Sequence, residues 1–228
     1  MDFQLQEKKR PKLMGKADIV LLCDSTGSMN PTREGLLSYL NTFIDSLLTT
    51  QTKNQAPLDW RIKFFTCKDM DVDANAMDFS GEWMVQEGEV KNAIQSRFLP
   101  EGGGDEPEST LDAMFKAARE VDWSPDRTHI MMVFTDASTK PLSVDASKGV
   151  MRVAGEIISN RIYTFLFAPE DPVYRELESN GSQAGKSRFE YSASFSRESG
   201  LKELDWENVL NKVGKTVSNI AYSGPEKS

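Results

Sequence analysis

The residues best suited to chemistry in this sequence stand at positions 24 to 28, within VLLCDSTGSMN. An aliphatic run ends in Asp24 and is followed by Thr26 and Ser28, so three oxygen-bearing side chains occur at alternate positions. Hard divalent cations such as Mg²⁺ take near-octahedral sets of oxygens, and small alcohols on a tight turn can share one ion. Gly27 lets the backbone of such a turn pass close to an ion without a Cβ in the way. Two further stretches bring the same atom types: Gly102-Gly103-Gly104-Asp105, and Thr135-Asp136-Ala137 after the apolar run HIMMVF.

Such residues act together only if the elements before them end side by side. ADIVLLCD is a short continuous apolar run, as expected of a strand buried on both faces of a parallel sheet. Asn30 and Pro31 read as the N-cap and first turn of a helix that keeps Leu36, Leu37, Leu40, Phe43, Ile44 and Leu47 on one stripe. DWRIKFFTCKD reads as a second strand and FSGEWMVQ as a third, paired as a hairpin across a polar loop. Helices are expected over 89–98, through Leu111, Met114, Phe115 and Ala118, and over 144–160, interleaved with the strands HIMMVFTDA and RIYTFLFAP. A helix at 174–179, a last strand at 187–193 and a closing amphipathic helix, LDWENVLNKVGKTVSNIAYS, complete the pattern. Strands alternating with helices imply right-handed crossovers. The expected fold class is α/β: a doubly wound, mostly parallel sheet with one antiparallel edge strand and helices on both faces, of Rossmann-like type. Sites in such sheets lie at the carboxyl ends of the parallel strands, where all three oxygen-bearing loops begin.

With that order of motifs the sequence resembles the von Willebrand factor A (VWA) domain family. Its metal-ion-dependent adhesion site, MIDAS, uses an Asp-x-Ser-x-Ser loop, a Thr loop and an Asp loop. The resemblance covers roughly residues 17 to 220. Asp24, Thr26 and Ser28 match the first loop with Thr for Ser, and Asp136, in FTDAS, matches the third. The middle loop departs, since Asp105 in GGGDEPE stands where adhesion-type members carry Thr, a variant similar to some intracellular and microbial members. The resemblance implies a metal site of Asp24, Thr26, Ser28, Asp105 and Asp136 holding Mg²⁺, with Mn²⁺ or Ca²⁺ as substitutes. Thr26 and Ser28 would coordinate directly, Asp24 and Asp136 would hold metal-bound waters, and Asp105 would be a ligand or an outer acceptor. An extra like charge ~5 Å away opposes an incoming carboxylate by about 3 kcal/mol at an effective dielectric near 20. Asp105 is therefore expected to tighten metal binding and weaken acidic ligands. The expected organisation is a polar leader over 1–16, a VWA-like domain over 17–222 and a tail over 223–228.

Other motifs argue for blander roles. Asp69, Asp71, Asp73 and Asp78 suggest a calcium loop, but Ala74 and Ser80 stand where Gly and Glu are needed, so an acidic, solvated rim is expected. GSQAGKS is one residue short of a phosphate loop and follows no clear strand. His129, the sole histidine, opens the strand that ends near Asp136 and so lies at the wrong end for a triad or a histidine-rich metal site. Asp105 with Glu108 also reads as a simple helix start. Cys23 and Cys67 fall in apolar runs, as buried free thiols do.

The chain has 228 residues, a net charge of -8 and 27% charged residues, so its surface repels phosphate backbones and anionic lipid headgroups. No apolar run approaches the roughly 20 residues a spanning helix needs, and the basic start lacks the apolar segment of a secretory signal. The expectation is a cytoplasmic, non-catalytic module that binds a protein partner through its metal, with neither nucleic acid nor membrane as partner. Two alternatives stand beside it. Asp24 could be the nucleophile of a metal-dependent phosphohydrolase or phosphotransferase, although the expected second acid is absent and Lys140 is the only nearby lysine. The metal could instead serve stability alone.

Overall fold

Strand β1, Lys16–Asp24, has no polar face: every residue after Lys16 is buried. That pattern requires a neighbour on both edges and a layer on both sides. In the computed structural model, which describes residues 15–49, 58–104, 106–182 and 189–195, β1 is the centre of a six-stranded sheet. Its partners are β2 (Asp59–Cys67), β3 (Met77–Asp78), β4 (Thr128–Phe134), β5 (Ile162–Pro169) and β6 (Phe189–Phe195), in the order β3-β2-β1-β4-β5-β6. All pairings are parallel except β2 with β3, which is antiparallel and at an edge.

Alternation along β1 assigns the two cores. Ala17, Ile19, Leu21 and Cys23 face α1 (Arg33–Thr49) and α2 (Glu87–Arg97), against Leu36, Leu40, Phe43, Val90 and Ile94. Val20 and Leu22 face α3 (Thr110–Glu120), α4 (Gly149–Ser159) and α5 (Pro172–Gly181), against Leu111, Met114, Val153, Ile157 and Tyr174. Successive side chains of a strand point to opposite faces, so one nine-residue strand seeds both layers. The connections leave β1 in one direction toward β2 and arrive at β4 on its other side. The carboxyl ends of β1 and β4 therefore flank the switch point of the sheet, the usual ligand crevice of an open α/β fold. At the opposite end Asp18, fully buried, is paired with Arg61 at 2.6 Å and Arg127 at 2.7 Å.

Several boundaries differ from the sequence expectation for local reasons. The segment Gly27–Thr32 is a separate 3-10 turn containing Pro31, and the α-helix begins only at Arg33, so Asn30 is not its cap. The third strand is two residues long, plus one bridge between Met84 and Ile62. Asp78 ends it by accepting from the Ser80 amide at 3.0 Å and by pairing with Arg97. Helix α4 starts at Gly149, because residues 142–148 fold back in a turn in which Asp145 accepts from the Lys148 amide. The expected closing helix and most of GSQAGKS lie outside the described residues.

Candidate metal centre

Asp24 ends β1 and is 1% exposed. Its Oδ1 accepts from the Thr26 amide at 2.9 Å and from Thr26 Oγ1 at 2.7 Å, which turns the chain sharply into the 3-10 segment. Its Oδ2 accepts from Thr135 Oγ1 at 2.6 Å, just beyond the end of β4. Thr26 Oγ1 lies 3.1 Å from Ser28 Oγ, and Ser28 Oγ donates to Asp136 Oδ1 at 2.8 Å. Two loops more than a hundred residues apart thus form one unbroken series, Thr135–Asp24–Thr26–Ser28–Asp136. It runs from a buried carboxylate to exposed Ser28 and half-buried Asp136.

The glycine loop closes over this series. Glu101 donates its amide to Ser25 O at 3.0 Å, and Gly27 donates to Gly102 O at 3.1 Å. Gly103 has φ +78, and a Cβ there would stand 3.0 Å from Thr26 Cβ. Only glycine admits both that backbone and that approach. Asp105, expected in the metal set, lies outside the described residues. The other four expected site residues, Asp24, Thr26, Ser28 and Asp136, come together as described.

Glu108 joins them, and sequence reading missed it. It was expected to help start a helix, yet α3 begins at Thr110 with Ser109 before it, and Glu108 makes no cap. Its backbone is clamped to the Asp136 loop: its amide donates to Ser138 O at 2.9 Å, and its carbonyl accepts from the Lys140 amide at 2.7 Å. The side chain is 4% exposed, and its Oε2 has no hydrogen-bond partner among the described residues. Oε1 lies 3.3 Å from where a Gly103 Cβ would stand, on the side of the glycine loop that Thr26 also touches. No local pattern marks such a residue, since its importance comes from a pairing with residues thirty positions away.

The acids of the loop 68–76 are also placed differently from expectation. Asp69 is 1% exposed rather than a solvated rim residue, and Lys140 bridges it to Asp71. Burial would raise the Asp69 carboxyl, but its hydrogen bonds with Lys140 and the Asp71 amide bring it below the ordinary value. Asp73 accepts from the Gly103 amide at 3.0 Å. His129 sits at the far end of β4, between the carbonyls of Asn160 and Ser124. Cys23 and Cys67 are free, buried thiols.

Three other acids of the crevice, Asp24, Asp136 and Glu108, stand above their ordinary values. Burial pushes Asp24 up to about 6, with Asp136 adding to it and the hydrogen bonds from Thr135 and Thr26 opposing it. Burial likewise raises Asp136, and its Ser28 bond offsets part of this. Burial, then Asp24 and Asp69, push Glu108 up to about 8, against Lys140. A crowd of buried acids with raised values is the electrostatic signature of a place suited to a cation.

Comparison with solved structures is decisive for the fold. Over 93% of its length the chain matches proximal thread matrix protein 1 of the mussel byssus, with a TM-score of 0.56 and 15% identity. The fold is that of a von Willebrand factor A domain. The same mussel protein, solved with a zinc-occupied MIDAS motif, matches this VWA fold over 90% of the chain with a TM-score of 0.58 and 14% identity. The pilus adhesin SpaC of Lactobacillus rhamnosus GG matches over 89% with a TM-score of 0.57 and 13% identity. The chain spans 47% of the first two and 30% of the third. No family model matches the chain, and no curated protein does.

The oxygens at this crevice are of the type that divalent cations take. Adjacent oxygens about 2.1 Å from Mg²⁺ in an octahedron lie about 3.0 Å apart. Thr26 Oγ1 and Ser28 Oγ, at 3.1 Å, already hold that spacing. Asp24 and Asp136 stand behind the two hydroxyls as hydrogen-bond acceptors, and Glu108 contributes an unsatisfied buried oxygen. Among the described residues no three His, Cys, Asp or Glu side chains form a metal-holding group, so the two alcohols, Thr26 and Ser28, are an essential part of the candidate donor set.

Proposed function

We propose that this chain is a divalent-metal-dependent protein-interaction module, binding a protein partner through an ion held by Asp24, Thr26, Ser28 and Asp136, with Glu108 beside them. One observation carries the reading: the continuous hydroxyl and carboxylate series that reaches solvent at exposed Ser28 and ends at half-buried Asp136. Mg²⁺ fits the oxygen-only donors and the hydroxyl spacing. The ion would supply an electrophilic coordination position facing solvent, and the protein would hold its other oxygens in place.

Asp24 is poorly suited to nucleophilic attack, which counts for binding rather than phosphoryl transfer. Both its oxygens are engaged and it is 1% exposed. Lys140 is held by Asp69 and Asp71 rather than by Asp24. Buried free thiols at Cys23 and Cys67 suit the reducing cytoplasm, the compartment we propose. Among the described residues no helix is long and apolar enough to cross a membrane.

Calorimetry with Mg²⁺ and Mn²⁺ on the wild type and Ser28→Ala, alongside partner capture in Mg²⁺ against EDTA, tests the proposal. Saturable binding lost in Ser28→Ala, with capture lost in step, is expected. Equal ion binding by both proteins would reject the site, and capture indifferent to EDTA would reject the role.

A further inference from the structure

The chemistry of the face around the ion restricts what it can hold. Asp24 and Asp136 would already offset the charge of one dication, and the buried carboxyl of Glu108 stands beside the glycine loop, so an open coordination position on such an ion would not favour an incoming carboxylate. The rim has the same sign. The side chain of Asp71 is 75% exposed and that of Glu101 is 77% exposed. The lysines paired with them, Lys140 and Lys68, are 21% and 17% exposed, so the acids reach further into solvent than their counter-ions.

The loops that carry these acids also carry exposed apolar side chains. Met70 is 46% exposed, Val72 61% and Leu99 53%. All three are attached to the metal face. The Leu99 carbonyl accepts from Ser25 Oγ, the Met70 amide donates to Ser109 Oγ, and Val72 Cγ2 lies 2.8 Å from where a Gly104 Cβ would be. Exposed apolar groups together with charged ones on loops beside a crevice are the usual composition of a contact surface.

We propose, resting on the metal-dependent reading above, that this face takes a protein segment that presents an apolar side chain flanked by Lys or Arg and offers the ion a neutral oxygen, not an Asp or Glu carboxylate. The apolar side chain would lie on Met70, Val72 and Leu99, while the basic groups would meet Asp71 and Glu101. Rim charges chiefly steer encounter and set salt dependence, so binding should weaken as NaCl rises.

The test is selection of a peptide library displayed on phage against the full chain in Mg²⁺, paired with Mg²⁺ calorimetry. Enriched sequences should be rich in Lys, Arg and large apolar residues and poor in Asp and Glu. A synthetic copy of an enriched peptide should bind at least several-fold more weakly to Leu99→Ser and to Glu101→Lys, two surface variants remote from the core. Enrichment of acidic peptides, no enrichment, or enriched peptides indifferent to both variants would overturn the proposal. If the chain fails to bind Mg²⁺ at all, the metal reading falls and takes the inference with it; if it binds Mg²⁺ but selects acidic peptides, only the inference falls.

Discussion

Thr135 and Asp24, 111 positions apart, share a buried 2.6 Å hydrogen bond between the ends of neighbouring central strands. Thr135 is fully buried, and its hydroxyl also accepts from the Ala137 amide at 3.2 Å. It therefore ties the Asp24 carboxylate to the loop that presents Asp136. Thr135→Val removes the hydroxyl at nearly constant shape and leaves a buried carboxylate oxygen unsatisfied, at a cost of about 1–3 kcal/mol. Urea denaturation should show that loss, and Mn²⁺ titration should show weakened affinity, because Asp24 is then free to rotate. Unchanged Mn²⁺ affinity would mean that Thr135 serves stability alone.

Glu108→Gln keeps the size of the side chain and removes its charge. Residues around a metal that hold its waters typically change affinity 10- to 100-fold when altered. Mg²⁺ affinity should fall within that range, while the melting temperature in EDTA should hold or rise, since the desolvation of a buried acid is relieved. A lower melting temperature in EDTA with unaltered Mg²⁺ affinity would make Glu108 a structural residue only.

The metal-free protein should lose stability as pH rises. Asp24 at about 6 and Glu108 at about 8 stand above their ordinary values of 3.8 and 4.5. The folded chain then holds protons that the unfolded chain has released. Stability contributed by Asp24 declines between about pH 4 and 6, and that from Glu108 between about pH 4.5 and 8. Saturating Mg²⁺ should reverse the trend, since the ion binds the deprotonated forms. Melting curves across this range, in EDTA and in Mg²⁺, should converge for the wild type and Glu108→Gln at the acid end and separate above it. Parallel profiles at every pH would contradict the account.

Gly103→Ala should damage both fold and site. A Cβ at φ +78 is strained by about 1–2 kcal/mol and stands 3.0 Å from Thr26 Cβ. Thermal unfolding should show the destabilisation, and calorimetry a loss of Mg²⁺ affinity through displaced Thr26.

Asp18→Asn supplies the contrast. It weakens the pairing of fully buried Asp18 with two partly buried arginines at the opposite end of the sheet, and disruption of a buried pair costs at most about 3–5 kcal/mol. Denaturation should register that loss, while Mg²⁺ affinity at a temperature where the variant is folded should match the wild type. Reduced affinity would show the two ends of the sheet to be coupled.

Much of this protein was legible in its sequence because the signals are local. The unbroken run IVLLC reads as a strand buried on both faces, the residues from Leu36 to Leu47 keep a helical apolar stripe, and Asp24, Thr26 and Ser28 share one turn. Their spacing follows from backbone geometry, which acts over a few residues. The two-residue third strand was not legible, because an Asp78 side chain bonded to Ser80 and Arg97 outcompetes the ladder. Nor was the burial of Asp69, which depends on Lys140 seventy-one positions later. Glu108 is the clearest case: adjacent letters read it, with Asp105, as part of a simple helix start, whereas its backbone is set against Ser138 and Lys140 and its carboxylate turns inward beside Gly103. Local sequence determines which oxygens are available, but their convergence on one crevice depends on β1 and β4 lying side by side, and only long-range packing of the sheet decides that.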